Sequence, residues 1–188
     1  VTEGSTALAG HDTVEGKITY TLGANVEDLD LSAGGAINGT GNALANLIIG
    51  SAAANKLDGK AGADTMQGGL GDDIYVIDNL KDQVDESGGG VSDSDTIQIA
   101  TAFDLQAASI AILGAVENVT VTGTAAIGAF GDGSANHLTG NSGANTLDGR
   151  GGNDVLDGLG GADVMIGGDG DDTYVIDNAK DVVQETGS

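Results

Sequence analysis

Large apolar residues recur every nine positions along two stretches of the chain. The first set is Ile48, Leu57, Met66 and Tyr75; the second is Leu138, Leu147, Leu156, Met165 and Tyr174. Their neighbours are more polar, as in KLD (56–58), TMQ (65–67) and HLT (137–139). Alternation held over only three residues predicts a short strand whose central side chain points inward and whose neighbours point outward. The six residues between such strands are glycine-rich and predict a chain reversal. Outside this frame, TIQIA (96–100) and VENVTVTG (116–123) alternate and predict further strands. In FDLQAASIAIL (103–113), Asp104 is placed to cap one or two helical turns.

The nine-residue frame also orders glycines and acids. Units open at Gly41, Gly50, Gly59 and Gly68, and again at Gly131, Gly140, Gly149, Gly158 and Gly167. Glycine returns at the fourth position as Gly62, Gly71, Gly143, Gly152, Gly161 and Gly170. The sixth position holds Asn46, Asn55, Asp64 and Asp73, then Asn136, Asn145, Asp154, Asp163 and Asp172. The frame runs one step further in IDNLKDQVD (77–85) and IDNAKDVVQ (176–184), which place Asp82 and Asp181 sixth and Val84 and Val183 eighth. These segments are expected to cap the two stretches.

A longer repeat lies over the short one. YVIDNLKDQVDE (75–86) returns as YVIDNAKDVVQE (174–185), and VEDLDLSAGGAI (26–37) returns as VENVTVTGTAAI (116–127). The two offsets differ by one nonapeptide, so the second stretch has one extra unit. The expected domains are therefore 1–83, a spacer with nonapeptides 41–85, and 84–188, a spacer with nonapeptides 131–184. VTEGS at the start is similar to VDESG (84–88), so the chain is expected to be a monomeric piece of a longer array or tail.

Composition narrows the chemistry. Asp and Glu number 29 against 6 Lys and Arg, a formal charge of -23, and 23 of the acids are Asp. So negative a chain excludes nucleic acid and anionic membrane as natural partners and favours cations. The bias to the shorter acid suits turns and oxygen-ligand sites. Aromatics are 3% of residues, enough for a thin core between close sheets but not for a broad one. With no Cys there is no disulfide or thiolate chemistry, and no apolar run approaches a membrane span. His11 and His137 are the only imidazoles, and no nucleophile-elbow or HExxH motif accompanies them, so no catalysis is expected.

Glycine first and fourth, an acid sixth and a large apolar residue eighth: this register resembles the haemolysin-type calcium-binding (RTX) repeats of proteins that Gram-negative bacteria export by type I secretion. The resemblance implies an all-β fold, a right-handed parallel β-roll (β-helix) in two stacked or tandem blocks with strand-rich spacers. It implies that two nonapeptides make one coil, so that like turns stack at every second unit and share Ca2+. The implied pairs are Asn46–Asp64, Asp64–Asp82 and Asn55–Asp73, then Asn136–Asp154, Asp154–Asp172, Asn145–Asp163 and Asp163–Asp181, for at most seven ions. Calcium takes six to eight oxygens at about 2.3–2.6 Å, and turn carbonyls near Gly59, Gly62, Gly68, Gly71, Gly149, Gly152, Gly158, Gly161, Gly167 and Gly170 are expected to supply those the carboxylates do not. The Asn-headed sites are expected to be weaker, because an amide oxygen brings no charge.

Family members carry this module beside proteases, lipases, toxins, epimerases and adhesins, so the resemblance names a module and not its parent's activity. The implied role is a calcium-binding unit that folds on meeting extracellular Ca2+ and serves as scaffold or spacer in a larger secreted or surface protein. Two alternatives stay open: an adhesin module that binds glycan, lipopolysaccharide, matrix or ice, and the C-terminal tail of an exported enzyme.

Overall fold

A computed structural model describes residues 10–90, 92–105 and 111–186. The strands up to residue 85 are β1 (Thr13–Glu15), β2 (Tyr20–Thr21), β3 (Asp28–Asp30), β4 (Gly39–Thr40), β5 (Leu47–Ile49), β6 (Lys56–Asp58), β7 (Thr65–Gln67), β8 (Ile74–Ile77) and β9 (Gln83–Asp85). Then come β10 (Thr96–Ile99), β11 (Phe103–Asp104), β12 (Ala111–Leu113), β13 (Asn118–Val121), β14 (Gly128–Phe130) and β15 (His137–Thr139). The last are β16 (Thr146–Gly151), β17 (Val155–Asp157), β18 (Val164–Asp169), β19 (Thr173–Val175) and β20 (Val182–Gln184). The described residues fall into two compact units, 10–95 with 111–115, and 96–105 with 116–186.

In the first unit, β1, β3, β5, β7, β9 and β12 are neighbours in that order in one sheet, and β2, β4, β6 and β8 in another. Successive strands therefore alternate between sheets, and two of them make one coil of a parallel β-roll. The register puts eighth residue on eighth residue: Ile48 on Met66, Leu57 on Tyr75 and Met66 on Val84, each pair two nonapeptides apart. The second unit repeats the scheme, with β10, β13, β15, β17 and β19 on one side and β11, β14, β16, β18 and β20 on the other. There Leu138 lies on Leu156, Leu147 on Met165, Leu156 on Tyr174 and Met165 on Val183.

The spacers are coils too. Val14 pairs with Leu29, a step shorter than two nonapeptides. Leu29 pairs with Ile48 and Ile97 with Val119, both at longer steps. From Val14 through Leu29 to Ile48 the turns differ in length while the inward residues keep their register; the step from Ile97 to Val119 also contains β11 and β12.

In each roll the core is two files of inward side chains, one from each sheet. Ile48, Leu57, Met66, Tyr75, Val84, Leu138, Leu147, Leu156 and Met165 are all fully buried. Aliphatic residues suit this narrow space, which explains the scarcity of aromatic rings. Truncating a buried Leu or Met to Ala in such a file removes its contacts and leaves a cavity, a loss of about 2–5 kcal/mol.

The helix expected in 103–113 does not form at its described ends. Residues 103–104 and 111–113 are the strands β11 and β12, and 106–110 lie outside the described residues. Phe103 is buried and pairs with Ala129, so core pairing overrides the local capping signal of Asp104. Among the described residues no helix is long and apolar enough to cross a membrane.

Candidate metal centres

Each roll carries its acids in columns. One carboxylate oxygen of every sixth-position Asp accepts a backbone N–H from the sixth residue one coil earlier. Asp64 accepts from Asn46 at 2.8 Å, Asp82 from Asp64 at 3.0 Å and Asp73 from Asn55 at 2.7 Å. In the second roll Asp154 accepts from Asn136 and Asp163 from Asn145, both at 2.7 Å. Asp172 accepts from Asp154 at 2.9 Å and Asp181 from Asp163 at 3.1 Å. The structure thus brings together all seven residue pairs named from the sequence.

The other oxygen is the informative one. Oδ2 of Asp64, Asp73, Asp154, Asp163 and Asp172 is buried and has no hydrogen-bond partner. A carboxylate oxygen taken out of water without a partner carries a large desolvation cost unless it is protonated or meets a cation. Accordingly burial pushes the carboxyls of Asp64 and Asp154 up to about 6 and that of Asp73 up to about 7. The backbone N–H donors pull the other way, and the next acid in each column adds to the rise. Burial also raises Asp82 and Asp163.

The glycines explain how the carboxylates fit. A Cβ on Gly59, Gly68, Gly149, Gly158 or Gly167 would fall on the carboxylate of its own unit's Asp. The fourth-position glycines have a different neighbour, the turn of the preceding coil. A Cβ on Gly62 would meet the Leu44 carbonyl, on Gly161 the Gly143 carbonyl and on Gly170 the Gly152 carbonyl. A Cβ on Gly71 would meet the backbone of Ala53 and Ala54 at 2.7–3.1 Å, and one on Gly152 the backbone of Ser134 and Ala135. Gly71 and Gly152 also have φ of 100° and 102°, which L side chains rarely adopt.

The four asparagines are engaged differently. Asn46 Oδ1 accepts from the Asn42 N–H, and its amide donates to the carbonyls of Val26 and Glu27 at 3.1 and 3.0 Å. Asn55 Oδ1 accepts from Ser51 N–H, and its amide donates to the Ile37 carbonyl at 2.5 Å. Asn136 accepts from Asp132 and donates to Glu117, and Asn145 accepts from Asn141 and donates to Ile127. An amide both accepts and donates, so it joins two coils by itself where a carboxylate has only acceptors.

Three residues of this network lay outside the nine-residue reading. Asp95 accepts the Asp73 N–H at 2.8 Å and so continues that column, after a longer step than the repeat would set. GVSDSDTIQ, from Gly90, restates the frame four residues late, with Asp95 sixth and the buried Ile97 eighth. Asn79 and Asn178 donate to the carbonyls of Gly62 and Gly161, tying each capping segment to the coil before it. Tyr75 is buried as a core residue, whereas Tyr174 is only half-buried.

With columns, glycine corners and dehydrated oxygens in place, the family assignment follows. The RTX calcium-binding nonapeptide repeat, a unit of four copies, matches residues 40–75, 130–165 and 139–174. These are RTX repeats. No curated protein matches the chain. RTX repeats are structural calcium-binding elements, and the donor set here suits that ion: hard carboxylate oxygens, out of water, beside glycine corners open to backbone carbonyls.

Proposed function

We propose that the chain is a calcium-dependent structural module, a scaffold or spacer within a larger secreted or surface protein. The observation that carries this reading is the set of buried, unpartnered Oδ2 atoms stacked along both rolls. Calcium, when bound, supplies positive charge to oxygens that have lost their water.

The remaining work is done by the chain's own residues. Of the seven pairs set by the repeat, Asp64 with Asp82, Asp154 with Asp172, and Asp163 with Asp181 have two carboxylates, and these would hold ions most tightly. Asn46, Asn55, Asn136 and Asn145 join their coils through amide hydrogen bonds and depend less on metal, so we place the number of tight sites below seven. Glycines leave the carboxylates room, and the eighth residues supply the core. Without calcium the rows repel, and the short strands do not offset the entropy of ordering so much glycine. Ion binding to the folded state alone then stabilises it by mass action. Extracellular calcium modules have dissociation constants on the order of 10⁻⁴–10⁻³ M, which keeps such a chain unfolded where calcium is scarce.

Circular dichroism tests the reading. The parallel β spectrum is expected to appear on adding millimolar calcium to the chelated chain. A β spectrum indifferent to excess EGTA overturns it.

A further inference from the structure

We propose that Asp73, Glu86 and Asp95 form a divalent-cation site of their own, built where the first roll departs from its regular two-unit step. Each offers a carboxylate oxygen, and these oxygens lie within 4.8 Å of one another. All three side chains are buried: Asp73 is 0% exposed, Asp95 3% and Glu86 5%. Acids do gather on surfaces without meaning, but this group is out of water. A second observation points to a ligand. Asp73 Oδ2 is buried with no hydrogen-bond partner, while its Oδ1 is already taken by the Asn55 N–H.

The surroundings hold the three carboxylates in place. Glu86 accepts a hydrogen bond from the Tyr75 hydroxyl, which orients it from the core side. Asp95 accepts the Asp73 N–H, which brings the lengthened coil back into the column. Asp93 accepts N–H groups of Gly71 and Gly90 at 2.9 and 2.7 Å, and Asp72 accepts that of Ser94 at 2.9 Å. The extra residues of the coil are therefore tied down rather than looped away.

This arrangement is not another copy of the repeat site. Its third carboxylate comes from a glutamate just beyond β9, outside the nonapeptide frame, and the fourth position of GVSDSDTIQ is Asp93 and not glycine. Three anionic oxygens suit a hard divalent ion. The choice of calcium among such ions rests on the reading of the repeats above; the placement of the site does not.

Calcium titration of the whole chain by calorimetry, with Glu86→Gln, Asp95→Asn and the repeat-site control Asp64→Asn, tests the proposal. Glu86→Gln and Asp95→Asn are each expected to lose one ion, or to weaken one at least tenfold, and to lower the Tm at saturating calcium. Neutralising one of three crowded carboxylates is expected to raise the residual β content of the chelated chain at pH 8 or leave it unchanged, which loss of a merely structural glutamate would not do. Unchanged stoichiometry and affinity in both variants, with Asp64→Asn impaired, overturns this site and leaves the repeat reading standing. A wild-type chain that takes up no calcium overturns both. Terbium keeps the test decisive if a variant folds poorly. In a background carrying Tyr20→Phe and Tyr174→Phe, tyrosine-sensitised emission is expected with Glu86 present and to fall at least fivefold with Glu86→Gln, and equal emission overturns the proposal.

Discussion

Two segments of nearly the same sequence end the two rolls, and they meet different fates. YVIDNLKDQVDE (75–86) and YVIDNAKDVVQE (174–185) make the same local bonds. Each tyrosine hydroxyl donates to the glutamate that closes its segment, each Asn donates to a glycine carbonyl one coil back, and each Asp accepts from the preceding Asp. Yet Ile77 and Val84 are 2% and 0% exposed, whereas Ile176 and Val183 are 53% and 42% exposed. In the first roll β12 pairs with β9 and lays Ile112 on Val84. Among the described residues no strand plays that part for β20. The titration of matching acids diverges as a result: burial raises Asp82, while the Asp163 N–H lowers Asp181. Local sequence decides which hydrogen bonds form; the next coil decides how dry they are.

The comparison is broken most easily at the tyrosines. Tyr75→Ala is expected to cost about 3–5 kcal/mol in urea melts at saturating calcium, as for other buried rings, and Tyr174→Ala much less. Equal costs would mean that the two ends are packed alike.

The acid columns come next. Asp64→Ala and Asp154→Ala each remove a carboxylate that faces both neighbouring coils, and each is expected to weaken calcium binding at least tenfold and with less cooperativity. Asn55→Ala is expected to cost stability with little change in calcium affinity. Titration calorimetry separates the two, and an Asn55 variant as impaired in calcium binding as Asp64→Ala would put an ion at the amide.

pH sharpens the contrast further. Asp64, Asp154 and Asp73 hold protons up to about 6, 6 and 7 in the folded, metal-free state, above their value in an unfolded chain. Their contribution to the fold is therefore fully present below about pH 4 and is lost as pH rises through 6 to 7. Asp181 acts in the opposite sense: its lowered carboxyl stabilises the fold above its usual range and ceases to as pH falls. The chelated chain is expected to show more β structure at pH 5 than at pH 8, while calcium affinity falls over the same interval because protons compete for the oxygens. Chelated spectra that do not change with pH would contradict the buried state of these acids.

The smallest expected effect lies at the second position of the repeat. Gly69 and Gly168 have φ of 100° and 107°, and Lys60 and Leu159 occupy the same left-handed region at 64° and 54°. Leu159→Gly relieves about 1–2 kcal/mol of steric strain against about 0.5–1 kcal/mol of added chain entropy. A net gain of about 0.5 kcal/mol is expected in thermal melts with calcium.

How much of this was legible beforehand depends on distance along the chain. The pairs from Asn46–Asp64 to Asp163–Asp181 could be named because a constant step of two units needs only counting. Asp95 could not, since its column arrives four residues late, and nothing near Glu86 signals that a tyrosine and two aspartates will face it. The helix foreseen at Asp104 failed because a cap signal is local, whereas the burial of Phe103 depends on Ala129, its partner one coil further on. In sequence the asparagines read as weaker ligands for an ion; their worth as hydrogen-bond donors depends on carbonyls of the previous coil, which a frame of positions does not display. The exposure of Ile176 and Val183 belongs to this class too, because it turns on what stacks beyond them.

Inward residues stay in line although the chain between them varies in length, from the short step joining Val14 to Leu29 to the longer one joining Leu29 to Ile48. Extra length is taken up at the corners, where closing a longer loop costs only about 0.6 kcal/mol per doubling. A fold read by side chains rather than by counting can accept inserted peptides where its turns already vary, so the spacer turns, and not the glycine corners beside the acids, are the natural places to graft an epitope, a protease site or a fluorophore tag without shifting a core position.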